Sequence, residues 1–336
     1  MRIPFEHRQS AHCENGVVSN LLRFHGMEFD EPMVFGIGAG LFFSYFPFLK
    51  MGGIPVTSFR TMPSYIFKRF ANSLGIKVKS QTFSNEQKGM EALDALLEQG
   101  IPVGMLTSVF YLTYLPDAYR FHFNAHNIIV YGKENGKYLV SDPTLEGVTE
   151  ILPEDLQRAR FAKGIPEPKG KLYYPVVFPK SYDLNKAMIK AIKHVAFFMA
   201  KTPMPILGAN GIKYLANRMR NWPKKLGTRK SVLWLGNVVR MQEEIGTGGA
   251  GFRFIYAAFL DKASVILKDE ELFNMSKELT AIGDLWRAFA YEASRVCKNR
   301  KSDTVTFDQL ADMLYEIGKK EQVLFDKLFL WAKARL

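Results

Sequence analysis

Cysteine is scarce: the chain has two in 336 residues. Two cysteines in a chain this long build no disulfide framework, and that usage fits a reducing cytosol. Long apolar runs are missing too. PMVFGIGAGLFFSYFPFL (32–49) is broken by glycine and proline and HVAFFMA (194–200) is short. Neither reaches the ~18–20 apolar residues of a spanning helix. The opening MRIPFEHRQS lacks the apolar segment of a secretory leader. These absences predict a cytoplasmic protein. No CxxC, HExxH or Walker A sequence occurs, so neither a zinc site nor a P-loop is expected. His122 and His126 share HxxxH spacing, but in a loop running into a strand. GIGAG (36–40) lacks the third glycine, the preceding strand and the downstream acid of a dinucleotide loop. It reads as a close-packed turn behind the first helix.

Acid is absent from one long stretch. Between Asp183 and Glu243 lie twelve lysines and arginines and no aspartate or glutamate. The net charge of +12 is therefore lopsided: residues 1–182 carry +2 and residues 183–336 carry +10. Such a block, roughly 186–240, steers an acidic partner toward the chain, or is simply a solvated face. An acyl carrier protein, an anionic membrane surface and nucleic acid all have the right sign.

The length suits two domains. Residues 14–25, ENGVVSNLLRFH, place Val17, Val18, Leu21 and Leu22 on one helical face, ending at Gly26. Helices are expected at 63–74, 85–99 and 152–161, and strands at 76–83, 101–110, 126–132, 137–143 and 171–178. Asn135-Gly136 joins two of those strands as a hairpin. After PKSYD (179–183) the pattern is helical throughout: 184–200, 211–220, 229–244, 250–268, 271–297 and 305–335. The expected class is α+β: an N-terminal domain (1–180) with a leading helix and an antiparallel sheet, then a basic all-α domain (181–336).

Within that frame SAHCENG (10–16) puts Cys13 at the start of the first helix. A helix N-terminus favours a thiolate. His126 opens a strand in AHNIIVYG, and Asp142 closes the next in YLVSDP. Across a hairpin the start of one strand lies near the end of the other, so His126 and Asp142 can be neighbours. Helix-borne cysteine, strand-borne histidine and strand-borne aspartate stand in the chain order of nucleophile, base and orienting group in papain-like folds. Each residue alone has a plainer reading: a small buried cysteine, a core histidine, an Asp-Pro turn. His122 is the second candidate base. His12 adjoins the cysteine but points elsewhere, and His25 lies at the far end of the helix.

The stretch EEIGTGGAGFR (243–253) leads into another helix. Thr247, Gly248 and Gly249, with Arg253 beside them, can hold an anion such as phosphopantetheine on exposed backbone N–H groups. Glu243 and Glu244 can bind a substrate amine. The same stretch also reads as a linker.

HCENGVVSNLLRFHGMEFDEPMVFGIGAGLFF resembles the opening of the butirosin biosynthesis protein H N-terminal domain family. FNAHNIIVYG and YLVSDP resemble its later blocks, and EEIGTGGAGFRFIYAAFL resembles the helical domain that often follows it. The resemblance implies a papain-like fold and an acyltransferase, because the family's named member moves an aminoacyl group from a carrier thioester to an amine. By that likeness Cys13 is the nucleophile, His126 the base and Asp142 its orienting partner, and Gln9 matches an oxyanion-hole glutamine. The donor would be the phosphopantetheine thioester of an acidic acyl carrier protein and the acceptor a small molecule, with no cofactor bound to the enzyme. The helical domain would dock the carrier and close the site. Two alternatives stay open: a cysteine peptidase or amidase using the same residues, and a basic module for a membrane or nucleic acid.

Overall fold

The computed structural model describes residues 1–298 and 305–336. In chain order the elements are α1 (Cys13–Phe24), α2 (Glu31–Ile37), β1 (Leu41–Met51), β2 (Ile54–Arg60), α3 (Tyr65–Leu74), β3 (Lys77–Gln81), α4 (Glu86–Glu98), β4 (Val103–Thr107), β5 (His126–Glu134), β6 (Lys137–Ser141), β7 (Thr149–Ile151), α5 (Pro153–Arg160) and β8 (Leu172–Val177). Helices follow: α6 (Leu184–Ala196), α7 (Gly208–Arg220), α8 (Trp222–Leu226), α9 (Thr228–Glu243), α10 (Arg253–Leu267), α11 (Glu270–Cys297) and α12 (Phe307–Lys333). A π-helical segment, Phe197–Lys201, extends α6. Among the described residues no helix is long and apolar enough to cross a membrane.

Two compact units result. The first combines Met1–Val34 with Ile66–Tyr182. Its six-stranded antiparallel sheet has the order β3-β8-β4-β5-β6-β7. Helix α1 packs against β4, β5 and β8. Val17, Val18, Leu21 and Leu22 have no exposed surface, which is the apolar stripe of its sequence put to use. The helix stops at Gly26 (φ +76°), where the Met27 N–H returns to the Leu22 carbonyl and the Gly26 N–H to Arg23, a Schellman ending. Leu93, Val103, Met105, Ile128, Val130 and Leu172 form the centre of a second core. The β5–β6 hairpin closes through Asn135 (φ +50°) and Gly136 (φ +78°), the paired positive φ values that an Asn-Gly turn supplies.

The second unit combines Phe35–Tyr65 with Asp183–Leu336. This departs from an all-α domain starting at 181, because the antiparallel hairpin β1–β2 belongs to it. The hairpin packs on α7 and α9. Phe43 and Phe59 lie edge-on to each other, and Phe59 also meets Trp286 of α11. GIGAG belongs here as well and is close-packed. Gly36 lies so close to the Phe259 ring that a Cβ would sit 1.9 Å from it. At the centre, Arg253 and Glu321 form a fully buried bidentate pair, with N–O distances of 2.8 and 2.9 Å. The Trp286 indole N–H donates to the same carboxylate at 2.6 Å, and the Arg253 guanidinium lies 5.0 Å from the Trp286 ring.

Candidate active site

Cys13 is the first residue of α1 and is almost fully buried. The segment before it is tied down on two sides. The Ser10 N–H donates to the Pro143 carbonyl at 2.7 Å. The N–H groups of Ala11 and His12 donate to the two oxygens of Glu31, at 2.9 and 2.7 Å. Gly16, one turn into α1, lets the helix meet the Asp142-Pro143 corner: a Cβ there would stand 2.4 Å from Pro143 Cβ. The two ends of SAHCENG, Ser10 and Gly16, thus dock α1 against the corner that follows β6.

His126 opens β5 and Asp142 follows β6; both are buried. His126 Nε2 lies 2.7 Å from Asp142 Oδ2. That leaves Nδ1 to face the cysteine, and the imidazole is hydrogen-bonded to Cys13. The carboxylate is held in turn. Thr144 donates to Oδ1 through its N–H (3.0 Å) and its hydroxyl (2.8 Å), and Tyr114 donates its phenol to Oδ2 at 2.9 Å.

The electrostatics follow from this arrangement. Burial opposes the charge on Asp142, but His126 and the Thr144 donors overcome it and hold the carboxyl at about 2. Burial also opposes the charge on His126. The Asp142 carboxylate and Cys13 outweigh that penalty and raise its pKa well above the usual value. Both shifts favour an imidazolium between a cysteine and a buried carboxylate, the setting in which a thiol becomes a nucleophile.

A fourth group was not singled out by the sequence. The Asn127 side-chain amide donates toward Cys13 Sγ at 3.8 Å, while its carbonyl accepts the Tyr173 hydroxyl at 2.7 Å. Nδ2 also donates to the Ala125 carbonyl at 3.4 Å, an acceptor that marks which end of the amide faces the sulfur. Tyr173 reaches across β4 because residue 104 is glycine; a Cβ there would meet the Tyr173 ring at 2.5 Å. The available signal was the polar pair His126-Asn127 at the mouth of an otherwise apolar strand.

Gln9 is exposed, and among the described residues it makes no hydrogen bond to this group. Hydrogen-bonded neighbours fill its segment: His7, two residues earlier, is 2.8 Å from Ser141 Oγ and 3.1 Å from the Leu145 carbonyl. His122 is exposed and stacks on Phe110 at 4.1 Å, apart from the cysteine–histidine–aspartate group. His25 caps the far end of α1 and packs on Phe178.

The Gly-rich stretch of the second unit is a turn tied by its own hydrogen bonds. Thr247 Oγ1 donates to the Gln242 carbonyl (2.6 Å) and accepts the Gly249 N–H (3.1 Å); Glu243 accepts the Ala250 N–H (3.1 Å). Of the donors expected to meet an anion, the Thr247 hydroxyl and the Gly249 N–H are thus engaged within the turn. Arg253 is spent on Glu321 and on the Gly251 carbonyl, 2.8 Å away. Glu244 and Gly248 are exposed on either side.

Comparison with known proteins finds two family matches. Residues 12–143 match the family model described as "Butirosin biosynthesis protein H, N-terminal". That span begins beside Cys13 and ends beside Asp142. Residues 154–328, more than half of the chain, match "Domain of unknown function (DUF4872)". The second match starts in α5, inside the first unit, so the family boundary and the structural division do not coincide. Among solved structures, a C39-like peptidase from Bacillus anthracis aligns with 14% identity and a TM-score of 0.35, over 53% of this chain and 96% of that one. No curated protein matches.

Proposed function

We propose that this chain, which belongs to the family joining the butirosin biosynthesis protein H N-terminal domain to the domain of unknown function that follows it, is an acyltransferase working through a Cys13 thioester. The observation that carries the proposal is the buried line Cys13–His126–Asp142, with its 2.7 Å histidine–carboxylate bond and its cysteine at a helix N-terminus.

In the first half-reaction the Cys13 thiolate adds to the carbonyl carbon of an acyl thioester. The oxyanion forms beside the N-terminal end of α1 and takes a hydrogen bond from Asn127 Nδ2. The carbonyl re-forms, the bond to the phosphopantetheine sulfur breaks, and His126 gives its proton to the departing thiolate. In the second half-reaction an amine or hydroxyl attacks the acyl-Cys13 carbonyl and passes its proton to His126, and Cys13 leaves as thiolate. Asp142 keeps the imidazole oriented throughout, and stabilises its charged form before the first half-reaction and after the second. Exchange of one thioester for another is close to isoenergetic, so the donor need not be more activated than a carrier thioester.

The donor we propose is an acidic acyl carrier protein, and the acceptor a small molecule of a biosynthetic pathway. Two observations support this. The family takes its name from a biosynthesis protein. Helix α6 carries Lys186, Lys190 and Lys193 at helical spacing, exposed or half-exposed, suited to an acidic partner. Hydrolysis by the same three residues differs only in the acceptor. Incubating the enzyme with an acyl carrier thioester, with and without a panel of amines, separates them. Acylated amine with little free acid supports transfer. Free acid alone, or cleavage of peptides without any carrier, identifies a hydrolase.

A further inference from the structure

The hairpin of the second unit carries a feature that the chemistry at Cys13 does not use. Its register pairs Phe46 with Val56 and then Lys50 with Pro55, so Pro47, Phe48 and Leu49 oppose no residue of β2. Three extra residues in one strand form a large bulge, and bulges re-aim side chains rather than arise by accident. This one aims them at solvent. Phe48 is 74% exposed, Leu49 53% and Met51 59%. All of residues 48–53 are exposed, and Gly52 and Gly53 close the tip with φ of +57° and +81°. A tip made of a phenylalanine, a leucine and a methionine gains nothing from water.

Cations lie in it and on the helices to which its contacts lead. Lys50 lies within the tip, with Nζ 5.8 Å from the Trp234 ring centroid of α9. Trp234 lies edge-on to Trp222, the first residue of α8, at 5.6 Å. From there Lys224 and Lys225 on α8, and Arg229 and Lys230 in the first turn of α9, are all exposed. None of the four forms an ion pair with an acid among the described residues. Two other cations of the basic block are paired with acids: Lys201 with Asp326, and Arg220 with Asp312. Leu233, 55% exposed, adds apolar surface on α9.

We infer that this face docks on the surface of an anionic phospholipid bilayer, with the Phe48-Leu49-Met51 tip entering the headgroup layer and Lys50, Lys224, Lys225, Arg229 and Lys230 meeting lipid phosphates. An apolar insertion and a polybasic patch are the two signals that stable peripheral attachment requires, since either alone binds weakly. The bulge favours a bilayer over an acidic protein, because charge alone would serve the protein and leave the exposed tip without a use. The inference is independent of the reaction at Cys13.

The test uses the full chain with vesicles of phosphatidylcholine, or of phosphatidylcholine mixed with phosphatidylglycerol. Wild type is expected to co-sediment with the mixed vesicles and to be released by salt. The F48S/L49S/M51S variant should partition ~10-fold or more weakly, and K224E/K225E/R229E/K230E ~100-fold or more weakly. Retained Cys13 alkylation in both shows that the first unit is intact, and circular dichroism reports on the helices of the second. A Phe48→Trp probe should shift its emission to the blue on mixed vesicles and be quenched by brominated lipid. Wild type left in the supernatant, binding indifferent to the tip, or a Phe48→Trp signal that brominated lipid leaves unquenched overturns the inference. So does an acidic carrier protein that binds in solution and is lost with both sets of substitutions while vesicles are ignored, which makes the face a protein-docking one.

Discussion

At the scale of single residues, the proposed chemistry rests on four side chains. Asp142→Asn keeps the shape and removes the charge that holds His126 protonated, so turnover should fall roughly 100- to 10,000-fold. The pH at which His126 loses its proton should also move down. His126 NMR titration, or the alkaline limb of a Cys13 alkylation profile, checks this. The folded-state pKa of Asp142 is depressed, so its ionisation stabilises the fold above the ordinary carboxyl value of 3.8. That contribution disappears as pH falls from there through about 2. In Asp142→Asn the loss of stability over this acid window should be shallower, as read by thermal unfolding against pH. Asn127→Ala should slow acylation by an activated ester such as p-nitrophenyl acetate by ~10- to 1,000-fold. Its rate with iodoacetamide, which forms no oxyanion, should change far less. Equal losses in both reactions would assign Asn127 to the thiolate rather than to the oxyanion. Cys13, His126 and Asp142 were legible because each stands at the end of a recognisable element. Asn127 was not, because strand alternation sends neighbours to opposite faces. Its amide is held by Tyr173, a partner from another strand that lies across a glycine.

At the scale of elements, Gly16 is the contact that sets α1 against the Asp142-Pro143 corner. Gly16→Ala forces a Cβ into Pro143 and Ser10, so the helix or the corner must shift. The expected cost is about 1–3 kcal/mol in thermal or denaturant unfolding, with a loss of turnover larger than stability explains. In the second unit, Glu321→Gln leaves Arg253 buried against a neutral amide and should destabilise by about 3–5 kcal/mol. A role for Arg253 in binding an anion would instead appear as a raised KM in a fully stable protein. Most helices could be read from apolar periodicity and glycine stops. The β1–β2 hairpin could not. In β2 the buried residues are Pro55, Thr57 and Phe59, while Ile54 and Val56 are half-exposed, so hydropathy alternates against the true burial. In β1 the run of aromatics hides the alternation, and the bulge breaks its phase. In the Gly-rich turn, hydrogen bonds local in sequence take two of the backbone donors: Thr247 takes the Gly249 N–H and Glu243 the Ala250 N–H.

At the scale of the whole chain, the charge is divided as the sequence suggests, while the polypeptide is divided otherwise: residues 35–65 leave the first unit and join the second. A cut at residue 180 would thus remove β1–β2 from the helices that cover it. A fragment of residues 183–336 should expose Trp286 and Trp234, bind hydrophobic dye and unfold with low cooperativity. A fragment that melts as sharply as the second unit does in the full chain would contradict that division. The excess of positive charge in the second half should make association with an acidic carrier fall steeply with ionic strength, through the on-rate more than the off-rate.

The most direct measurement is an acid-quenched mass spectrum of the enzyme after brief exposure to an acyl carrier thioester. The expected result is a mass increase equal to the acyl group, mapped to the peptide containing Cys13, sensitive to hydroxylamine and absent in Cys13→Ser. It should accumulate without an acceptor and disappear when an amine is added. An unmodified Cys13 under conditions where product forms, or an adduct on another residue, would contradict transfer through a Cys13 thioester.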